Sequence, residues 1–405
     1  MSLNVLPDRR LRILIAWELG ENYGHVLSLL PIATQLQARG HSVLVVAADV
    51  SLAGPLLQAA GVALVQAPLP PKPNLQREIA SFADILAAHG FGDCDALSAL
   101  VGGWQHIYDQ FRPDAVVVNH APAALFAARL ARIPTAAIGT GFELPPPRSP
   151  YPCFRPWLNL PESALLEAEA LILVNLRRVC IAHNQPAPAV LSEMRADAQF
   201  LLTFAETDHY PDRGDATYSG PVGLQDHGLD AAWRDGARRK LFVYLWRSDQ
   251  LAAILDRLRE CDAQVICVIP DIDPVLAATY RSCNFQVFRT AVKLAPLLSG
   301  CDLAITHGGH GTLSTFLLAG IPLLLIPTQL EQMLLSQRIQ RAGFGLALSL
   351  GEVTGHFDEA LKRMLAGAEF AIRARNFAAS HADFDQVRNV ERITSAIEEL
   401  LTPEA

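Results

Sequence analysis

The chain reads as an α/β protein of two domains, each built on a parallel sheet. Three observations predict this. Its 405 residues exceed what one ordinary core organises. Short, almost wholly apolar runs alternate with stretches carrying helical spacing, which is the pattern of strands covered on both faces. That alternation occurs twice, on either side of a polar stretch rich in Pro, Gly and Asp.

In the first half, "RILIAW" reads as a buried strand. "HVLSLLPIATQLQARG" reads as a helix stopped by Gly40, and "HSVLVVAA" as the next strand. "LAGPLLQAAG" is a helix ending at Gly61, and "VALVQAP" a third strand. "SFADILAAHG", "DAVVVNHAP", "AALFAARLARIP" and "TAAIGTG" continue the series. The proline-rich run Pro145–Pro156 breaks it and reads as a surface loop near a cleft mouth. The polar stretch Ala205–Gly236 is the linker candidate. A second series follows: "KLFVYLW", "LAAILDRLREC", "AQVICVIP", "PVLAATYRSC", "FQVFRT", "LAPLLSGC" and "LAITHGG". Gly351–Ala405 reads as mostly helical.

Composition narrows the function. A net charge of −8 argues against nucleic acid as the main ligand. The first apolar run reads as a strand rather than a signal peptide. No apolar run is long enough for a membrane span. The seven cysteines include no CxxC pair, so reduced thiols in a cytoplasmic protein are expected.

The segment "LAITHGGHGTLSTFLLAGIPLLLIP" carries the most chemistry. Leu303–Thr306 predicts a strand, and a helix is expected from about Thr312 to Ala319, stopped by Gly320 and Pro322. The "HGGHG" turn then lies between a strand's C-terminal end and a helix N-terminus, where open α/β sheets hold ligands and free N–H groups favour an anion. Gly308, Gly309 and Gly311 would let backbone approach a phosphate, Thr312 adds a hydroxyl, and His307 can donate to a phosphate oxygen. There is no GxGxxG after a strand, no GxxxxGK[ST] loop and no GxSxG elbow. His307 and His310 have no third ligand nearby, so no metal is expected.

"THGGHGTLSTFLLAGIPLLLIPTQLEQ" resembles the nucleotide-sugar signature of family 1 glycosyltransferases, of the UDP-glycosyltransferase and macrolide glycosyltransferase kind, in a divergent bacterial-type branch. "GHVLSLLPIATQLQARGHSV" (Gly24–Val43) resembles that family's N-terminal motif, and "YSGPVG" its entry between domains. The resemblance implies the GT-B fold, two Rossmann-like domains whose parallel sheets face across a cleft. The domains implied are 1–215 for the acceptor, a linker 216–238, 239–385 for the nucleotide sugar, and a helix 386–405 packing back on the first. It implies an inverting, metal-independent hexosyltransferase without a cofactor. That enzyme would move a sugar from a UDP- or dTDP-type donor to a hydroxyl of a small apolar acceptor.

By the same resemblance, His25 is the general base, His307 contacts the pyrophosphate, Gly309 to Thr312 cradle the α-phosphate, and Glu331 and Gln332 touch sugar hydroxyls. His310 falls within the cradle. The sequence departs from the family at three places. Asn119 stands where a carboxylate should pair with the base, leaving His120, Glu18, Glu21 or Asp114 as substitutes. Thr315 replaces the acid that binds ribose. "YLWRSDQ" replaces a Gly-Ser turn, with Arg247 as a phosphate-binding candidate. Trp17, Tyr23, Phe82, Phe91, Trp104, Phe142 and Trp157 are candidates for an apolar acceptor surface. A nucleotide-sugar-binding accessory protein, or an epimerase or hydrolase on the same fold, are the alternatives.

Overall fold

The structure is a computed structural model. It describes residues 10–401 apart from 22, 71, 73–77, 225–227 and 237. The start of the signal-peptide reading and parts of the 216–238 linker therefore lie outside the described residues. The chain divides into two compact units. One comprises Met1–Phe204, Tyr210–Gly223 and Gln386–Ala405, the other Ala205–His209 and Leu224–Asp385.

The first unit holds a six-stranded sheet of β1 (Arg12–Trp17), β2 (Ser42–Ala47), β3 (Ala63–Gln66), β4 (Ala115–Asn119), β5 (Thr135–Gly139) and β6 (Ala198–Leu201). The order is β3-β2-β1-β4-β5-β6, and every pairing is parallel. The helices are α1 (Tyr23–Ala38), α2 (Val50–Ala59), α3 (Phe82–Leu86), α4 (Cys94–Phe111), α5 (Pro122–Leu130) and α6 (Glu162–Ala182). Strands β1, β4 and β5 are buried along almost their whole length, as near-continuous Val, Ile and Ala runs require when helices cover both faces.

The second unit repeats the scheme. β7 (Arg239–Tyr244), β8 (Ala263–Val268), β9 (Phe285–Phe288), β10 (Leu303–Thr306), β11 (Leu323–Leu325) and β12 (Gly345–Ala347) pair in parallel in the order β12-β11-β10-β7-β8-β9. Its helices are α7 (Leu251–Glu260), α8 (Pro274–Tyr280), α9 (Ala295–Leu298), α10 (His310–Leu318), α11 (Leu330–Ala342), α12 (Leu350–Ala366) and α13 (Ala368–Ser380). The last helix, α14 (Gln386–Glu399), belongs to the first unit. There Glu398 bridges Arg39 and His41 at 2.6 Å each.

Both orders reverse direction once, between β1 and β4 and between β7 and β10. That is the switch point, where adjacent loops diverge and leave a crevice at the strands' C-terminal ends. Pairing places Trp17 beside Asn119 at one reversal and Thr306 beside Tyr244 at the other. Each candidate site grows from these ends.

One boundary differs from the sequence expectation. Helix α10 begins at His310, with Gly309 as its N-cap, two residues before Thr312. His310 and Gly311 are first-turn residues, and the turn proper is Gly308 at φ +86°. Helices α4 and α6 are additions to the series read from the sequence. In α6, buried Glu169 and Asn175 interrupt the apolar face while Leu166, Leu171 and Ile181 are exposed, which blurs the period.

Candidate functional site

In the first unit, β1 runs into the loop ending in α1, and His25 occupies that helix's first turn. Its imidazole stacks on the fully buried Trp17, centroids 5.3 Å apart and planes at 21°, with His120 at 6.0 Å. Nδ1 lies 2.7 Å from Asn119 Oδ1. The Asn119 amide is fixed on its other side, where Nδ2 donates to the Ile138 carbonyl at 2.9 Å and to Glu143 Oε2 at 3.3 Å. With both amide hydrogens directed there, Oδ1 can only accept. His25 is therefore placed to carry its proton on Nδ1, which makes Nε2 the basic ring nitrogen. Nε2 faces the α-carbon of Gly20, where a Cβ would come within 2.2 Å.

The carboxylate beside His25 is none of those expected from the sequence. Glu18 is buried under the first turn of α5, accepting from Ala123 N at 2.8 Å, from Ala124 N at 3.0 Å and from the Trp104 indole. Burial pushes its carboxyl up to about 8, against the pull of those three donors. Asp114 precedes β4 at its opposite end and accepts from Arg12 N at 2.8 Å. Glu21 is exposed. The carboxylate present is Glu143, whose Oε1 lies 3.6 Å from His25 Nδ1. It went unread because it follows β5 in a turn, and only the sheet order brings β5 beside β4. The one sequence signal is Gly139, where a Cβ would meet Glu143 Oε2 at 2.1 Å.

His120 holds φ +45°, a conformation uncommon for a residue with a side chain. Its ring is packed by His25, Phe82 and Phe142, and burial holds it well below the usual imidazole range, hence neutral. Its buried Nε2 finds no hydrogen-bond partner among the described residues. His120 and Glu143 line an apolar cavity with Phe82, Phe91, Pro147 and Tyr151. Of the other expected acceptor aromatics, Trp104 is core, Trp17 lies under His25, and Tyr23 and Trp157 are exposed. His25, His120 and Glu143 place possible ligand atoms within 4.8 Å of one another.

In the second unit, His307 follows β10. Its Nδ1 approaches the Tyr244 carbonyl at 3.3 Å, and its ring packs edge-on against Tyr244 (4.8 Å) and tilted against Trp246 (5.6 Å). Burial pushes its pKa down to about 4, so it is neutral near pH 7. Desolvation takes His310 to about 4 as well. The glycines differ in need. Gly308 has positive φ, a Cβ at Gly309 would meet His307 Nε2 at 2.8 Å, and one at Gly311 would find only Leu224 at 3.9 Å. Gly309 and the first turn of α10 present N–H groups beside His307. Thr312 lies in that turn, half-buried, and Thr315 donates back to the Gly311 carbonyl at 2.9 Å.

Glu331 stands in the first turn of α11, 3.2 Å from Nε2 of His209, a partner that sequence reasoning missed. Gln332 is buried, and its Oε1 accepts from the backbone and hydroxyl of Thr328 at 3.0 and 3.1 Å. Its amide thus braces the β11–α11 loop. Arg247 is exposed, and the residues of "YLWRSDQ" that reach His307 are Tyr244 and Trp246.

Solved structures share this architecture from end to end. The calicheamicin glycosyltransferase CalG4 superposes with a TM-score of 0.73 at 18% identity, covering 98% of this chain and 100% of that one. The spinosyn rhamnosyltransferase SpnG complexed with thymidine diphosphate gives 0.69 at 19% identity, over 95% and 100%. The chain has the GT-B glycosyltransferase fold. This GT-B chain also matches two family models: the erythromycin biosynthesis protein CIII-like C-terminal domain over residues 252–391, and a glycosyl transferase 4-like domain over 24–142. His25, Asn119 and His120 fall inside the second match and His307 to Gln332 inside the first. Glu143 and Trp246 fall outside both.

Among curated relatives, the GT-B chain is 31% identical over 123 residues to the NDP-glycosyltransferase YjiC of Bacillus subtilis, 30% of each protein's length. It is 24% identical over 317 residues, 71% of each, to a PGL/p-HBAD biosynthesis glycosyltransferase of Mycobacterium tuberculosis. Among the described residues no helix is long and apolar enough to cross a membrane.

Proposed function

We propose that the chain is an inverting glycosyltransferase that moves a sugar from a nucleoside-diphosphate sugar to a hydroxyl of a small, largely apolar acceptor. The observation that carries this is the 2.7 Å contact of His25 Nδ1 with an amide oxygen that can only accept. A neutral imidazole so held is a base on Nε2 alone. Nε2 takes the acceptor's hydroxyl proton, and the oxygen attacks the anomeric carbon from the face opposite the diphosphate. The bond from that carbon to the diphosphate oxygen breaks, and the electron pair leaves with the diphosphate.

The N-terminus of α10 and His307 would hold that leaving group, since both present hydrogen-bonding groups at the C-terminal end of β10. His307 has its Nδ1 at a carbonyl, so donating to a phosphate oxygen from Nε2 requires it to gain a proton or change tautomer. Glu331 remains the candidate for sugar hydroxyls, positioned by His209. The cavity beside His120 offers an apolar wall and one nitrogen without a partner among the described residues, which suits a hydroxylated apolar acceptor. SpnG has been solved with thymidine diphosphate and with spinosyn aglycone, and a dTDP-type donor is the first to try here.

The test is a thermal-shift panel with UDP, dTDP, GDP and ADP on wild type and His307→Ala. One diphosphate at about a hundredfold over its Kd should stabilise the wild type by about 2.7 kcal/mol, and the variant by far less. Stabilisation by none of the four would sink the donor assignment. Sugar consumed equally with and without an acceptor would point to hydrolysis.

A further inference from the structure

We propose that Glu143 is the positioning residue for His25, supplying from the turn after β5 the negative charge that Asn119 lacks. The inference rests on the reading of His25 as the base. It concerns a residue outside both matched family segments.

Asn119 alone can orient the imidazole but cannot balance the positive charge that forms when Nε2 takes a proton. Glu143 can do both. Its Oε2 accepts from Thr140 N at 2.8 Å and from Asn119 Nδ2 at 3.3 Å, so the carboxylate, together with the Ile138 carbonyl at 2.9 Å, turns the amide oxygen towards His25. Its Oε1 lies 3.6 Å from Nδ1, close enough to stabilise an imidazolium directly. Both side chains are nearly enclosed, 12% and 11% exposed, so solvent screens the pair little.

The surrounding backbone admits the carboxylate by design of the sequence. Gly139 ends β5 with no positive φ to explain it. Its role is steric, because any Cβ would fall 2.1 Å from Oε2 and 3.1 Å from Glu143 Cβ. One strand end thus leaves room for the charge, and the adjacent strand end supplies the amide that relays its orientation.

The experiment compares wild type, Glu143→Gln, His25→Ala, the double variant, and Glu143→Gln with Asn119→Asp, each assayed for transfer across pH. Glutamine keeps an oxygen for Thr140 N and Asn119 while removing the charge. We expect kcat to fall about 10²-fold with the donor KM unchanged. The acid limb of the kcat/KM profile should move to lower pH, because an imidazole without its anion is harder to protonate. Adding Asn119→Asp should restore at least tenfold of the loss by returning a carboxylate to Nδ1. The double variant with His25→Ala should be no worse than His25→Ala alone.

Turnover within about twofold of wild type and an unmoved acid limb in Glu143→Gln would overturn the proposal. So would failure of Asn119→Asp to rescue a folded Glu143→Gln protein. Folding is checked by the diphosphate thermal shift, and Gly139→Ala gives a second route, displacing the carboxylate without removing it. If His25→Ala retains turnover, the base assignment itself fails. If His25→Ala is inactive and Glu143→Gln is not, only the role of Glu143 fails.

Discussion

Replacing His25 with alanine should cut sugar transfer by about 10²- to 10⁴-fold, the usual contribution of a positioned general base, while diphosphate-induced stabilisation stays intact. The two halves of this result come from separate places. The imidazole belongs to the β1–α1 connection, whereas the proposed phosphate site is built from the ends of β7 and β10 and the start of α10. Steady-state kinetics at saturating donor, beside a thermal shift on the same preparation, checks both. The ring's packing on Trp17 means that a small stability loss will accompany the change. Retained turnover would show that the acceptor's proton leaves by another route.

The second large effect concerns stability. Glu18 has its carboxyl raised from 4.5 to about 8 by burial. Between those values the folded chain binds a proton that the unfolded chain releases. Glu18 is therefore least costly below about pH 4.5, and folding loses stability progressively as pH climbs towards 8. From pH 5.5 to 8.5 the loss from this one group should be about 3 kcal/mol. In Glu18→Gln that part of the slope should vanish, whatever the variant's absolute stability. Denaturant midpoints at the two pH values test it. Parallel slopes would mean that three N–H donors and the positive end of α5 outweigh burial and keep the carboxylate charged.

Much of this was legible in the sequence, for identifiable reasons. Parallel strands buried on both faces cannot alternate polar and apolar residues, so runs such as Arg12–Trp17 and Ala115–Asn119 stand out. Helix ends were legible where glycine supplies a positive φ, as at Gly40 and Gly61. The glycine turn before α10 was legible because a strand, a tight turn and a helix start coincide within a few residues. Helix α6 was hidden by its buried polar side chains. Glu143 was hidden because its meaning depends on β5 lying against β4, a long-range fact that spacing does not carry. In "YLWRSDQ" the charge singles out Arg247, yet it is the aromatic Tyr244 and Trp246 that touch His307.

Gly20 gives the loop before α1 an unusual vulnerability. At φ +87°, with the position of an absent side chain 2.2 Å from His25 Nε2, it lets backbone and imidazole lie against each other. One methyl group there would force the ring off its 2.7 Å contact with Asn119. A homologue could thus keep every polar residue of the site and still be dormant, silenced by an alanine that no inventory of chemical groups would flag.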